Sequence, residues 1–593
     1  MSDAAPPPPP PGYGQAPPPA AVPPTPPPSE PPQVASQDVL EPARVVQRTP
    51  VGGRRRPGVQ RDPAGVTVAL IRRYWAVALL VAGAIVLANL LPSISKTVTS
   101  AAPKTAGTPS GVTPAPAPGT PGLTVSGVHC GPGVRQVPWS RYAPICVPKW
   151  TGNNGGATAP GVTKTTITLT YREASSTQLA TIYSIVPPAV IGTNTEAIAT
   201  MQAFVNTFNK TFELYGRKVV LKPFIGKGNF VTELNGKDQA GAMEDAITAK
   251  GLGAFADSSV IDATPLYEEA LAQQGVIGLS IYGGPNTEFQ GESPYMYTTG
   301  TLCSTSIAQT EQLVGKVLNT TPTSFAGSAS LNGKKRVFGF LGTATAQSEQ
   351  CDAELIQGLK SKYGITMRTD FHMDLNGATL DSQASTAVGE MKSAGVTTVL
   401  CTTCDFFTPI FVTKAADIAD YHPEWIESDF LTALTGLQAP DQIADAVGFG
   451  RQAVPAADTE AYRAFEMGAP PGEKIIPSFS YVYEPLLMFF DALQAAGPYL
   501  TPKTFQQGLR SLPRSLTGGM YGNWSFNSSS FGPDESFGVV RWSNTALSAI
   551  DGKPGAWVKC NGGKQYGNAP GTAQLPAGVP LNCPGAPGGG PGG

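Results

Sequence analysis

Apolar and polar positions between residues 161 and 430 repeat with two alternating periods. Residues 166–171 alternate in steps of two, the period of a strand with one buried face. Residues 195–214 place Ile198, Met201, Phe204, Val205 and Phe208 at helical spacing. Residues 217–225 read as a strand and 239–250 as a helix. The short apolar run 252–256 ends in Asp257-Ser258-Ser259, and a helix starts at Thr264-Pro265, with a hydroxyl N-cap and proline at the first helical position. Leu266, Ala270 and Leu271 share one face, and Gly275 stops the helix before the apolar run 276–281. The same rhythm predicts strands over 295–299, 336–341, 366–372 and 397–401. Helices follow over 306–318, 349–363, 382–394 and 408–419.

Strands alternating with helices of this length imply βαβ units and parallel sheets. There are too many units for one small sheet, so two α/β lobes are expected. In an open parallel sheet, ligands bind at the carboxyl ends of the strands. At Asp257-Ser258-Ser259, two hydroxyls and the free N–H groups of a helix start suit a small anionic or zwitterionic molecule. The other reading of these serines is a solvated turn. Tyr171-Arg172-Glu173 closes the first strand and faces the same cleft. Arg172 pairs with a ligand carboxylate through its planar fork, or with Glu173 or another acid of its lobe.

Several stretches carry a family resemblance. They are Gly161-Val162-Thr163 before the first strand, Asp257-Ser258-Ser259, the crossing 295–300, Gly358-Leu359-Lys360 and YVYEPLLMFFDALQAAG over 481–497. In these, the region 161–542 resembles type I periplasmic solute-binding proteins, the leucine-binding-protein-like branched-chain amino acid and amide receptors of ABC importers, here in a membrane-anchored, actinobacterial-type form. The resemblance implies an α/β, two-lobed type I periplasmic-binding-protein fold, with parallel sheets flanked by helices and a hinge of crossing strands. It implies a ligand trapped as the lobes close, an ABC permease as partner, no cofactor and no enzymatic activity. Residues 161–300 and 453–515 would form lobe one, 301–452 lobe two, 516–550 the hinge and terminal strands, and 551–593 a Gly/Pro-rich tail.

Carried over position by position, Ser258 and Ser259 match the turn that contacts the ligand carboxylate. Tyr282 and Gly283, followed by Gly284, stand where the family offers a small residue and a threonine. Thr343, Thr345 and Gln347 occupy the loop where an aromatic is common. Phe406 and Phe407 fill a turn that often supplies tyrosine. Asp429, or Glu427 beside it, would meet an α-ammonium. The expected ligand set is therefore Arg172, Ser258, Ser259, Tyr282, Gly283, Gln347, Phe406 and Asp429. Ser259 is expected on a solvent-facing turn of the empty protein, so that its removal costs binding and little stability.

Composition narrows the classes. A net charge of -2, with no lysine or arginine stripe interleaved with aromatics, excludes a nucleic-acid partner. Prolines crowd the first fifty residues, so 1–73 is expected to be a disordered tail, either a solvated spacer or a polyproline ligand. Residues 74–91 carry no charge and would span roughly 27 Å as a helix. Arg54, Arg55, Arg56, Arg61, Arg72 and Arg73 precede this stretch, and only Lys96 and Lys104 follow closely. That bias predicts a single-pass protein of the cell membrane, with a cytoplasmic N-terminus and the large domain outside. Tyr74 and Trp75 suit the inner interface. Seventy-three preceding residues are too many for a signal-peptide n-region, and no cysteine near the segment offers a lipid anchor. Residues 92–160 would be an extracytoplasmic linker with a cysteine loop.

Cys130, Cys146, Cys303, Cys351, Cys401, Cys404, Cys560 and Cys583 all follow the apolar segment, and an even number on the exported side favours disulfides. Neighbour pairing is simplest: Cys130 with Cys146, and Cys560 with Cys583, with Cys303 and Cys351 on the opening helices of lobe two. Cys401-Thr402-Thr403-Cys404 is either a local disulfide at the cleft rim or a thioredoxin-like redox site. His129, His372 and His422 share no metal-ligand spacing, and no phosphate loop or nucleophile elbow is present. Two functions remain: a receptor presenting a small polar molecule, amino acid or amide-like, to an ABC permease, and a sensor or scaffold signalling through its membrane helix and proline tail. A redox enzyme is the outsider.

Overall fold

The computed structural model describes residues 110–428, 432–444, 446–450, 456–519, 521–527, 530–548 and 552–584. The proline tail, the arginine cluster, the apolar stretch 74–91 and Asp429 lie outside these residues. Everything described belongs to one unit, Pro103–Gly593. Among the described residues no helix is long and apolar enough to cross a membrane.

The first lobe is built on β1 (Thr166–Glu173), β2 (Lys218–Ile225), β3 (Ala256–Asp257), β4 (Ile277–Ser280) and β5 (Met296–Thr298). They pair in the order β2-β1-β3-β4-β5, all parallel. The connecting helices include α1 (Ser176–Ile185), α2 (Asn194–Thr211), α3 (Phe230–Leu234), α4 (Gln239–Gly251) and α5 (Pro265–Gln274). Local chemistry sets their starts. Thr193 and Glu196 form a reciprocal capping box at α2, and the Thr264 hydroxyl accepts from the Tyr267 N–H at α5.

The second lobe holds β6 (Phe338–Thr343), β7 (Thr369–Met373), β8 (Thr398–Cys401), β9 (Glu424–Ser428), β10 (Val447–Gly450), β11 (Ser536–Leu547), β12 (Pro554–Lys559) and β13 (Gln565–Gly567). The order is β12-β11-β10-β9-β8-β6-β7, with β13 also on β11. The five strands from β10 to β7 run parallel, and β11 and β12 are antiparallel additions. Its helices include α6 (Cys303–Thr310), α7 (Ala346–Tyr363), α8 (Leu380–Ser393) and α9 (Thr408–Ile418). The single helix expected over 306–318 is α6 continued by a π-helical stretch, Glu311–Val317.

The chain then returns to the first lobe. α10 (Phe479–Ala496) is apolar on nearly every face and buried along most of its length, followed by α11 (Pro502–Ser511). Phe490 of α10 packs 5.0 Å from Phe208 and 5.8 Å from Phe212, which ties the late helix to the early α2 core. Two connections between the lobes run side by side: Thr298 donates its N–H to the Phe531 carbonyl at 3.1 Å, and the Thr301 hydroxyl donates to Asp534 at 3.1 Å.

Two stretches read as linker and tail are packed structure. From residue 110 the Pro/Thr-rich segment lies against lobe one, where Gln136 donates to the Thr211 carbonyl at 2.9 Å and Asn154 to the Tyr215 carbonyl at 2.8 Å. The C-terminal stretch supplies β12 and β13, and buries Leu575 and Cys583 in the lobe-two core. All eight cysteines are paired, as Cys130–Cys146, Cys303–Cys351, Cys401–Cys404 and Cys560–Cys583.

Of the two readings of Arg172, the structure has the pairing with acids of its own lobe, and burial corrects the expectation for Ser258 and Ser259. Arg172 is 2% exposed. Its guanidinium forks onto Glu233 of α3 with two bonds of 2.9 Å, reaches Asp245 of α4 at 3.2 Å, and lies 3.9 Å over the Tyr267 ring. The fork meant for a ligand is closed on the protein's own acids. Asp257, Ser258 and Ser259 are fully buried. The Ser259 hydroxyl donates to Asp257 and accepts from the Arg172 N–H at 2.8 Å. Asp257 also accepts from Thr170 at 2.6 Å and Tyr267 at 3.1 Å. The turn expected to face solvent is a sealed polar core beneath α3 and α5.

Arg172→Met would leave Glu233 and Asp245 buried without their cation. It should cost about 3–5 kcal/mol of folding free energy in urea unfolding. Ser259→Ala, which strips a donor from Asp257, should cost about 1–3 kcal/mol. Unfolding midpoints matching wild type for both variants would contradict this account.

Burial also pushes carboxyl groups up: Asp257 to about 6, against opposing hydrogen bonds from Ser259, Thr170 and Tyr267, and Asp262, Glu427 and Glu460 to about 7. Between the ordinary carboxylate range near 4 and these values, the folded state holds protons that the unfolded chain has released. Their stabilisation is complete below about pH 4 and is lost as pH rises towards 7. The unfolding temperature of Asp262→Asn should therefore rise relative to wild type as pH increases from 4 to 7. A difference that stays constant across that range would refute the assignment.

Candidate functional site

The two sheets present their carboxyl ends to a shared cleft of about 250 Å³. Every strand end that reaches it does so by the residues just past or at its last position. Ile281–Gly284 follow β4, Thr343 and Thr345 follow β6, Leu375 follows β7, and 402–406 follow β8. Ser428, Phe449 and Gly450 end β9 and β10. The crossing connections add Thr301 and Asp534, and the C-terminal addition contributes Gln565.

Four of the eight expected ligand residues line this space: Tyr282, Gly283, Gln347 and Phe406. Thr343 and Thr345 of the loop that holds Gln347 line it too. Arg172, Ser258 and Ser259 do not, for the reasons above. Asp429 falls outside the described residues. Glu427, weighed beside it, is buried and accepts from the Gln438 amide at 2.9 Å. Gly283 is required by contact: a Cβ there would sit 1.7 Å from the Thr301 carbonyl oxygen on the crossing connection.

The loop after β8 is the most elaborated wall. Cys401 and Cys404 close it with a disulfide, and Cys404 lines the cleft together with Cys303 and Cys351 of the adjoining bridge. Asp405 caps α9, accepting from the N–H groups of Phe407 at 2.6 Å and Thr408 at 2.9 Å. It also receives the Thr343 hydroxyl at 2.9 Å, which ties the ends of β6 and β8 together. Phe406, between cap and disulfide, is half-buried in the cleft wall and packs 4.1 Å from Phe407.

Behind this wall sits a chain of polar groups that the sequence did not reveal. The Thr403 hydroxyl donates to Asp352 of α7 at 2.5 Å, and the other Asp352 oxygen meets His372 Nε2 of β7 at 3.1 Å. The hydrogen bond to Asp352 raises the His372 pKa, against the lowering effect of its burial. Gly342 of β6 makes the room: a Cβ there would lie 2.3 Å from the Asp352 carboxylate and 2.6 Å from the His372 ring. His372 is thus structural, as its place in an alternating strand suggests, but it braces a cleft-lining hydroxyl.

The cleft is closed along one side by lobe-one additions that reach across. Ile182, Val186, Ile191 and Phe230 share an apolar cluster with Leu341, Met373 and Leu375 of lobe two. Asn235 accepts from the Leu375 N–H at 2.9 Å, and Lys237 meets Asp374 at 3.2 Å. Thr403, Asp405, Asp534 and Gln565 are cleft residues that the sequence reading missed. Only Asp405 carried a local signal, as an acid three residues before the Thr408-Pro409 helix start. Among the described residues, no group of three or more His, Cys, Asp or Glu converges to hold a metal.

No protein-family model matches the chain, and no curated protein sequence does. Solved structures do. The leucine-, isoleucine-, valine-, threonine- and alanine-binding protein of Brucella ovis, in its closed conformation, is similar at 12% identity with a TM-score of 0.48, over 68% of this chain and 95% of that one. A fatty acid ABC transporter substrate-binding protein from Thermomonospora curvata is similar at 13% identity with a TM-score of 0.48, over 69% and 95%. The branched-chain amino acid transporter substrate-binding protein of Streptococcus pneumoniae, in complex with isoleucine, is similar at 14% identity with a TM-score of 0.44, over 67% and 99%. The second and third are described as substrate-binding proteins of transporters, and the first as an amino acid-binding protein.

Proposed function

We propose that this chain is a membrane-tethered, extracytoplasmic solute-binding protein. It captures a small polar molecule, of amino acid or amide size, in the interlobe cleft and presents it to an ABC permease. One observation carries the reading: strand ends of two parallel α/β lobes line a single cleft, the position where open α/β sheets bind ligands. The lining supports it, with aromatic surface from Tyr282, Phe406 and Phe449 beside hydroxyl and amide groups. Side-by-side connections at Thr298–Phe531 and Thr301–Asp534 are where two such lobes would hinge.

The tether rests on the sequence. The uncharged stretch 74–91, with six arginines over residues 54–73 before it, favours a single-pass helix with residues 1–73 inside. Four disulfides in the unit that follows fit an oxidising, extracytoplasmic setting. Reporter fusions at residue 60 and at the C-terminus should give cytoplasmic and exported signals respectively. Release of the protein from membranes by salt alone would remove the anchor from the proposal.

Binding is tested by purifying the full-length protein in detergent, identifying the small molecule it releases by mass spectrometry, and titrating that molecule back. Phe406→Ala removes an aromatic face from the cleft and should weaken binding by about 1.5–3 kcal/mol, tenfold or more. Ser259→Ala, buried away from the cleft, should leave affinity within about twofold of wild type under conditions where both are folded. A tight ligand indifferent to Phe406→Ala and lost in Ser259→Ala would move the site to the sealed core of lobe one.

A further inference from the structure

Among the described residues five threonines line the cleft, and four of them donate their hydroxyl proton within the protein. Thr301 donates to Asp534 at 3.1 Å, Thr343 to Asp405 at 2.9 Å, Thr345 to Ser348 at 2.9 Å and Thr403 to Asp352 at 2.5 Å. Thr402 is the exception. It is 2% exposed, and its hydroxyl oxygen is sealed from solvent with no hydrogen-bond partner among the described residues. Buried polar side-chain atoms in this condition are few in a folded protein, and each calls for a physical cause. Ser258, Thr310 and Thr369 also carry such hydroxyls, but none of the three lines the cleft. Among the described residues Thr402 alone combines a buried, unpartnered polar atom with a place in the cleft wall.

Its neighbours hold the hydroxyl in that condition. Thr402 directly follows Cys401, the last residue of β8, and lies inside the Cys401–Cys404 disulfide loop. Thr403, next in the chain, is anchored to Asp352, and Asp405 is anchored to Thr343. A β-branched side chain has few rotamers, and a backbone pinned on both sides does not carry it to another acceptor. Leaving such a hydroxyl unpaired disfavours the folded state, and a bound molecule that supplies the missing bond removes that penalty. The strand order places β8 between β6 and β9, so Thr402 stands between Thr343 and Ser428, which line the cleft at the ends of those strands. We infer that Thr402 is a specificity-determining ligand residue, its hydroxyl bonding a hydroxyl, carbonyl or amide group of the solute. The inference rests on the cleft being the solute site. One neutral hydroxyl completes a hydrogen bond and balances no charge, so an uncharged polar group fits this position.

Thr402→Val keeps the shape of the side chain and removes the hydroxyl, and it separates a ligand role from a structural one. In full-length protein freed of bound molecules by extensive dialysis, its thermal unfolding midpoint should equal or exceed that of wild type, because an unpaired buried oxygen gives way to a methyl group. Thr403→Val, which strips a donor from Asp352, should lower the midpoint. Calorimetric titration then uses the molecule that wild type releases, identified by mass spectrometry, alongside the standard amino acids, acetamide and glycerol as fixed probes. The tightest binder among these should lose about fivefold or more in affinity for Thr402→Val, the effect of one buried hydrogen bond, and Thr402→Ser should recover most of that loss. A midpoint that falls in Thr402→Val as it does in Thr403→Val means that the protein itself partners the hydroxyl, and overturns the inference. A smaller loss of affinity, or no recovery in Thr402→Ser, overturns it too and leaves the solute-binding reading standing. If wild type releases nothing and binds no probe, both fall.

Discussion

The buried cation of Arg172 constrains much of what the first lobe can do. A guanidinium at 2% exposure has to be neutralised and hydrogen-bonded, because the desolvation of an isolated charge exceeds anything the fold could recover elsewhere. Glu233 and Asp245 meet that demand from α3 and α4, and Tyr267 covers the planar face from α5. Three helices are thereby fixed over the ends of β1 and β3. Beneath them, Asp257, Ser259 and Thr170 complete a closed set of hydrogen bonds. The consequence reaches the cleft: with the ends of β1 and β3 sealed, lobe one contacts it chiefly through Leu234, Pro265 and the turn after β4.

Lobe two has a matching buried pair with a different effect. Arg336 is held by Glu424 at 2.6 and 2.8 Å, and the same carboxylate accepts from the N–H groups of Ser324 and Phe325 and from the Thr398 hydroxyl. This pair sits at the amino ends of the strands and locks the sheet from the side away from the cleft. The carboxyl ends are left open, and the loops there are stiffened by other means: a disulfide across Cys401–Cys404, an aspartate cap on α9, and the Thr403–Asp352–His372 chain in the space that Gly342 vacates. Under the proposed function, rigid loops on a fixed sheet would hold the cleft groups in place before a ligand arrives, which would limit the ordering cost of binding.

The segments on either side of the two lobes are part of the same economy of surface. The N-terminal stretch from residue 110 covers the α2 and α10 side of lobe one. β12, β13 and the Cys560–Cys583 loop extend and cap the sheet of lobe two. Gln565 reaches the cleft only because β13 pairs with β11. A stretch rich in glycine and proline can be ordered where disulfide bonding and sheet pairing compensate for its small apolar surface.

The sequence determined the elements. Strand and helix periods, the Thr264-Pro265 start, the two-lobe organisation and the neighbouring cysteine pairs are local features, and local chemistry is what propensity, capping and periodicity report. Through the family resemblance it also pointed to the turn at Tyr282-Gly283 and the loops holding Gln347 and Phe406, which line the cleft. The tertiary structure decided which polar groups are buried on one another and which line the cleft. Arg172 stands 61 residues from Glu233, Thr403 stands 51 from Asp352, and Thr301 stands 233 from Asp534. No local pattern announces such pairs. A buried charge or hydroxyl takes whichever partner the packing brings within about 3 Å, and only the folded chain fixes which side chains those are.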